Sequence, residues 1–294
     1  MNWLARFEST FLFLAIVLYL GALVGYWWRV LWGAPDQDND ESDAPNTVAK
    51  NAADKDNVPL MRICRALLWA GALFHLLALL GQGGTLLEVR SGAAGLFAWV
   101  LLLAYLIFGR WGRGTLGALV LPVILLSTLF SLVAPPLHRS ASAAQLERDW
   151  LLVHLSIILL SYVSLTFAFG ASFIYLWQEK LLKRKQLRGI WQKLPSLQTA
   201  DEWIFRATCF GTAMLSLGIG TGMFWLRLHP EYQILRDPKV LFTTATWSIF
   251  AIYLLTRWLW GWQGRRSRYI VVGGFILMVV SFLGTPHLLS GIGR

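Results

Sequence analysis

Apolar stretches of 18 or more residues recur along most of the chain, separated by short polar segments where lysine and arginine concentrate. At about 1.5 Å of rise per residue, a helix of that length crosses roughly 30 Å of hydrocarbon. Eight such spans are legible, near 11–32, 61–82, 91–109, 115–135, 150–177, 203–226, 240–262 and 269–289. The hydrogen bonds of a lipid-embedded backbone must close within the segment, so the pattern predicts an all-α, polytopic bundle of transmembrane helices. The first span runs into Tyr26-Trp27-Trp28-Arg29 with no small-residue cleavage site, and it reads as a retained helix rather than a signal peptide.

Composition agrees with that pattern and narrows the function classes. The 294 residues are 56% hydrophobic and only 14% charged, against about 25% charged in an ordinary soluble domain. Two cysteines, Cys64 and Cys209, stand outside any CxxC or CxxCH pattern, so the chain is neither a thiol oxidoreductase nor a covalent haem carrier. The net charge of +10 falls in short inter-span loops, where it sets orientation and does not form a nucleic-acid footprint.

Orientation follows from those loops. Lys180, Lys183, Arg184, Lys185, Arg188 and Lys193 after span five form the strongest basic cluster and belong on the cytoplasmic side. Arg110 and Arg113 after span three, and Arg265, Arg266 and Arg268 after span seven, fall on that side too when the spans alternate. Both termini are then outside. The segment 33–60 is acidic, polar and poor in aromatics; with Arg29, Arg62 and Arg65 flanking it, it is expected to be a disordered cytoplasmic linker. The expected organisation is an N-terminal four-span region, 1–149, and a C-terminal four-span region, 150–294.

With sidedness assigned, all five histidines fall on or toward the outer face. His138 and His229 lie in outer loops, His154 about one turn into span five, His287 at the outer end of span eight, and His75 in the outer half of span two. An interface tolerates a histidine, so one alone weighs little. Together they point to function, because neutral imidazole ligates metals and haem iron and ionisable groups within spans are costly. His154 and His287 stand out, at span ends beside the outer loop 227–239. Arg236 and Lys239 in that loop could pair with carboxylates such as haem propionates. Asp237-Pro238 is also what a helix start looks like, with Asp capping and Pro in the first turn.

Other chemistry is sparse. The chain carries no HExxH pair, GxSxG elbow or phosphate-binding glycine loop, and almost no acid inside a span away from its ends. A small-molecule permease is correspondingly disfavoured. Arg206 is placed to snorkel toward the interface, and Gly218 and Gly222 give span six a face that another helix can approach closely. Tryptophans 27, 28, 99, 225, 258, 260 and 262 mostly sit near span ends and read as an aromatic belt.

Three segments of the C-terminal half carry a family resemblance. The stretch LGIGTGMFW at 217–225, a short outer loop, Asp237-Pro238-Lys239 and TWSIFAIYLLTRW at 246–258 resemble the haem-handling core of the cytochrome c assembly family, the CcsA, CcmC and HemX-like membrane proteins. VHLSIILLSYVSL at 153–165 resembles the family's histidine-bearing span before that loop, and SFLGTPHLL at 281–289 its final span with the second histidine. The resemblance implies c-type cytochrome biogenesis, with His154 and His287 as axial ligands of a non-covalent haem b held at the outer face of a bacterial-type inner membrane. It further implies His229, Arg236, Asp237 and Lys239 as the surrounding surface, and His75 as the counterpart of a histidine in an early span of HemX-like members.

The chain also departs from the pattern. No tryptophan stands between His229 and Asp237, and Leu255 occupies the position of a histidine in the synthase branch, whose deeper haem site is then incomplete here. These departures favour a HemX-like or divergent assembly protein without catalysis of its own. Ligation to apocytochrome c would need an outer-domain partner of the CcsB/ResB kind. The alternative is a HemX-like regulator or scaffold of haem biosynthesis, acting through the basic loop 178–202 without binding haem.

Overall fold

The computed structural model describes residues 6–32, 47–83, 90–108, 115–133, 145–184, 196–228 and 238–284. Among them the regular elements are helices: α1 Glu8–Trp32, α2 Thr47–Gln82, α3 Arg90–Phe108, α4 Thr115–Val133, α5 Gln145–Lys183, α6 Leu197–Leu228, α7 Pro238–Trp260 and α8 Arg265–Val279. A π-helical turn, Val280–Gly284, continues α8. The eight helices take up the eight expected spans, so the chain is a multi-pass membrane protein. Six contain a segment long and apolar enough to cross a bilayer, among them Pro59–Gln82 in α2 and Leu152–Lys183 in α5. The apolar part of α3, Gly92–Ile107, is shorter. The fifteen residues of α8 begin with three arginines within four positions and gain length from the π turn.

One expectation changes. The polar segment expected to be a disordered linker is helical from Thr47 onward, as a continuation of α2 toward its N-terminus. Ala49, Lys50, Ala52, Ala53 and Lys55 are strong helix formers, and a helix already nucleated by the apolar span extends at low cost. Pro59, inside α2, can donate no backbone hydrogen bond there.

The helices form two compact units, residues 1–139 with 178–195 and residues 140–177 with 196–294. In the first, α1 packs on α2 and α4, and α3 on α2 and α4. Small residues allow this. Ala15, Ala22, Ala72, Ala94, Ala98 and Ala118 are buried at the contacts, and a methyl on Gly71 would run into the Tyr19 ring. The Trp99 indole donates to the Ala72 carbonyl at 3.0 Å. Large apolar side chains such as Val24 and Val133 face outward, the arrangement expected when the surroundings are hydrocarbon.

In the second unit α5 is tied to α6 by two serines that cross to backbone carbonyls, Ser161 to Gly211 at 2.7 Å and Ser164 to Ala207 at 2.8 Å. Trp247 of α7 donates to Ser216 of α6 at 2.8 Å. Phe169 of α5 stacks on Phe275 of α8 with centroids 4.0 Å apart, and Tyr162 meets Phe282 edge-on at 5.5 Å. These contacts fix the four helices that carry the candidate site.

Candidate functional site

The second unit has polar groups at both ends of α6. Asp201 and Thr221 are twenty residues apart on that helix, about 30 Å along its axis and close to the thickness of a hydrocarbon core. In the orientation read from the basic loops, Asp201 lies inside and Thr221 outside.

At the outer end, His154 of α5 sits against α6. Its Nδ1 is 2.9 Å from Thr221 Oγ1, and that hydroxyl donates back to the Gly218 carbonyl, also at 2.9 Å. Residues 218, 221 and 222 share one helical face through their spacings of three and four, so glycine, hydroxyl and glycine form a shallow seat for the ring. A methyl on Gly222 would stand 3.2 Å from His154 Cε1, inside ordinary contact distance. His154 is half-buried; α5 starts earlier, at Gln145, and the histidine lies within the first turn of its apolar segment, Leu152–Lys183. Lys239, in the first turn of α7, acts electrostatically on the ring, so the structure brings these two candidate residues into one neighbourhood. His229, Arg236, Asp237 and His287 lie outside the described residues. The expected close approach at Gly218 and Gly222 is present: Gly218 meets Ile158, and Gly222 receives the histidine.

Thr221 is absent from the residues expected from sequence to be functional. It stands within the GTG of LGIGTGMFW, but a threonine that returns its hydroxyl to its own helix is common in membrane spans and gives no signal until the partner ring is seen.

The inner end is built differently. Asp201 pairs with Arg257 at 2.5 Å and with Arg268 through its other oxygen. Arg268 Nη1 donates to the Tyr253 hydroxyl at 3.1 Å, and its guanidinium lies 5.1 Å from the Tyr175 ring centroid. Arg257 lies 4.5 Å over Phe205. Arg268, read from sequence as a loop cation, is fully buried. Its loop is short, and α8 starts early enough to carry residue 268 into the bundle, where Asp201 neutralises it. Arg206 stays on the surface beside Glu202 at 3.5 Å, with 76% of its side chain exposed.

His75, in the other unit, is fully buried. Its Nδ1 is 3.3 Å from the Tyr19 hydroxyl, while Nε2 has no partner among the described residues. Gly95 stands opposite: a methyl there would fall 3.5 Å from Nε2 and 2.8 Å from Ser131 Oγ. No group of three or more metal-binding side chains occurs among the described residues.

Residues 90–292 match the family model of the cytochrome C assembly protein, a stretch that takes in α3 to α8 and the whole outer site. The chain belongs to the cytochrome c assembly protein family. Relatives similar to it include the cytochrome c biogenesis protein CcsA of Heterosigma akashiwo, 28% identical over 211 residues that cover 60% of this chain and 66% of that one. The CcsA of Mesostigma viride is 29% identical over 200 residues, with 60% and 66% covered, and that of Prochlorococcus marinus 26% over 219 residues, with 67% and 70% covered. The chain thus spans just under two thirds of the length of the first two. No solved structure matches. For a chain of this family the outer site is the natural place to look for ligand chemistry, because His154 is the described histidine there and one of its nitrogens is already held.

Proposed function

We propose that this protein serves c-type cytochrome biogenesis by binding or presenting haem b, non-covalently, at the outer face of the membrane, with His154 and His287 as the axial ligands. The observation that carries the reading is the seat of His154: an imidazole steadied by a neighbouring helix through one nitrogen, half-buried rather than sealed, at the outer end of α5. Family membership and the sequence placement of His287 at the outer end of the last span support it. Lys239 and Arg236 supply cations for propionates, and in the sequence His229 and Asp237 belong to the same outer loop.

The residues fit such a group. Neutral imidazole is a sound ligand for haem iron, and a metal-bound histidine almost always gives its second nitrogen a hydrogen-bond partner, the place Thr221 takes. When bound, the haem would be the cargo delivered to apocytochrome. The chain's own part is to grip the iron through two histidines, pair the propionates and keep lipid from the open nitrogen. It acts without catalysis of its own, in a bacterial-type inner membrane, beside an outer-domain partner of the CcsB/ResB kind.

The test is an absorption spectrum of the detergent-purified chain. A low-spin, bis-histidine b-type spectrum, present as purified or after adding haemin and lost in His154→Ala and His287→Ala, is expected. A colourless preparation that takes up no haemin, with cytochrome maturation intact in both variants, overturns the reading. If removal of the basic residues between 178 and 202 then changes haem precursor levels, the regulatory alternative takes its place.

A further inference from the structure

We propose that Thr221 is a positioning residue that fixes which nitrogen of His154 carries the proton, leaving Nε2 as an open lone pair. This rests on the haem reading only for what the lone pair is for; the placement of the proton follows from the geometry. A threonine hydroxyl has one hydrogen to give. Here it goes to the Gly218 carbonyl at 2.9 Å, so the side of Oγ1 that faces the ring offers only a lone pair. The contact of 2.9 Å to His154 Nδ1 is then made with the ring donating. The oxygen that α6 turns toward the ring therefore calls for a hydrogen on Nδ1.

A neutral imidazole carries one N–H, and with that hydrogen on Nδ1 the other nitrogen is left as acceptor and ligand. Free histidine in water prefers the opposite tautomer by a modest margin, so the hydroxyl must reverse an intrinsic preference. The helix supplies it without any special backbone: residues 218, 221 and 222 lie three and four positions apart, and the absent side chain at Gly222 lets the ring come down onto that face. Thr221 acts through His154 and touches no iron.

The proposal is tested first on the haem-free chain. Histidine-¹⁵N-labelled protein in detergent or nanodiscs is examined near pH 8, where an imidazole of ordinary pKa, about 6.5, is neutral. His154 is assigned by its loss in His154→Ala. The expected result is an Nδ1-protonated ring in the wild type and in Thr221→Ser, and a shift toward the Nε2-protonated form in Thr221→Val. An Nε2-protonated ring in the wild type, or no change in Thr221→Val, overturns the proposal. Because Thr221→Ser keeps the hydroxyl, agreement of serine with wild type separates the hydrogen bond from any packing change caused by valine.

Haemin titration follows. Losing an outer partner of a metal-bound histidine weakens binding by about 10- to 100-fold, so Thr221→Val should show a loss of that order and Thr221→Ser little. If the NMR pattern is as expected but the wild type takes up no haemin, the haem reading fails alone and the assignment of the proton to Nδ1 is supported. If haemin binds the wild type and Thr221→Val with equal affinity, the positioning role fails while the haem reading survives.

Discussion

The two ends of α6 solve opposite problems with different residue types. At the inner end, Asp201, Arg257, Arg268 and Tyr253 turn toward one another, and the three charged groups are almost wholly removed from solvent. At the outer end, His154 commits one nitrogen to Thr221 and stays half-buried. In the first arrangement the charges are neutralised within the chain, although Arg257 Nη1 and Arg268 Nε have no hydrogen-bond partner among the described residues. The second leaves the ring half-buried, as the proposed haem site requires. The difference teaches that polar groups in a membrane bundle should be sorted by whether their charge is neutralised within the chain, before they are sorted by residue type.

The largest effect is expected where the closed end is broken. Asp201→Asn removes the negative charge between two buried guanidiniums, and breaking a buried pair in this way costs about 3–5 kcal/mol. Denaturant titration in detergent micelles should register that loss, and a change below about 1 kcal/mol would show that the inner cluster is wetter and looser than its geometry. His154→Ala should do the reverse. Haemin affinity should fall by more than about 100-fold, beyond what loss of an outer partner causes, while resistance to denaturant hardly moves. A large stability loss with unchanged haemin uptake would make the two ends alike.

Gly222→Ala probes the seat alone. The added methyl would lie 3.2 Å from His154 Cε1, so the ring must give by a few tenths of an ångström. A several-fold drop in haemin affinity, about 1 kcal/mol or less, is expected with the spectrum type retained. Unchanged affinity would show that the ring has slack. Arg206→Ala is the smallest. Its contact with Glu202 is solvent-exposed, and such pairs contribute about 0–1 kcal/mol, so neither stability nor haemin uptake should shift measurably.

The helices were legible because the bilayer demands continuous apolar runs, and the eight spans appear as eight helices displaced by a few residues at their ends. The helical extension of α2 back to Thr47 was not, since polarity argues for solvent contact and says little about backbone conformation once a neighbouring span has nucleated a helix. The outer end was half legible. His154 announces itself as an ionisable group in a span, whereas Thr221 is an ordinary threonine until a ring 67 residues away is brought against it. The inner cluster left even less trace. Arg268 looks like one more orienting cation and Asp201 like a span-end acid, and only folding across 56 residues makes Asp201 and Arg257 partners.

The π turn at Val280–Gly284 carries a consequence for the last helix. A residue inserted into a regular helix rotates everything beyond it by about 100°, so a turn of this kind works as an angular offset written into the end of α8. Removing one residue ahead of Phe282 in that turn would keep the composition of the segment and the length of the bundle nearly intact while swinging the Phe282 ring about a quarter of the way around the axis, away from Tyr162. A protein with this single deletion should stay folded yet lose that edge-on contact.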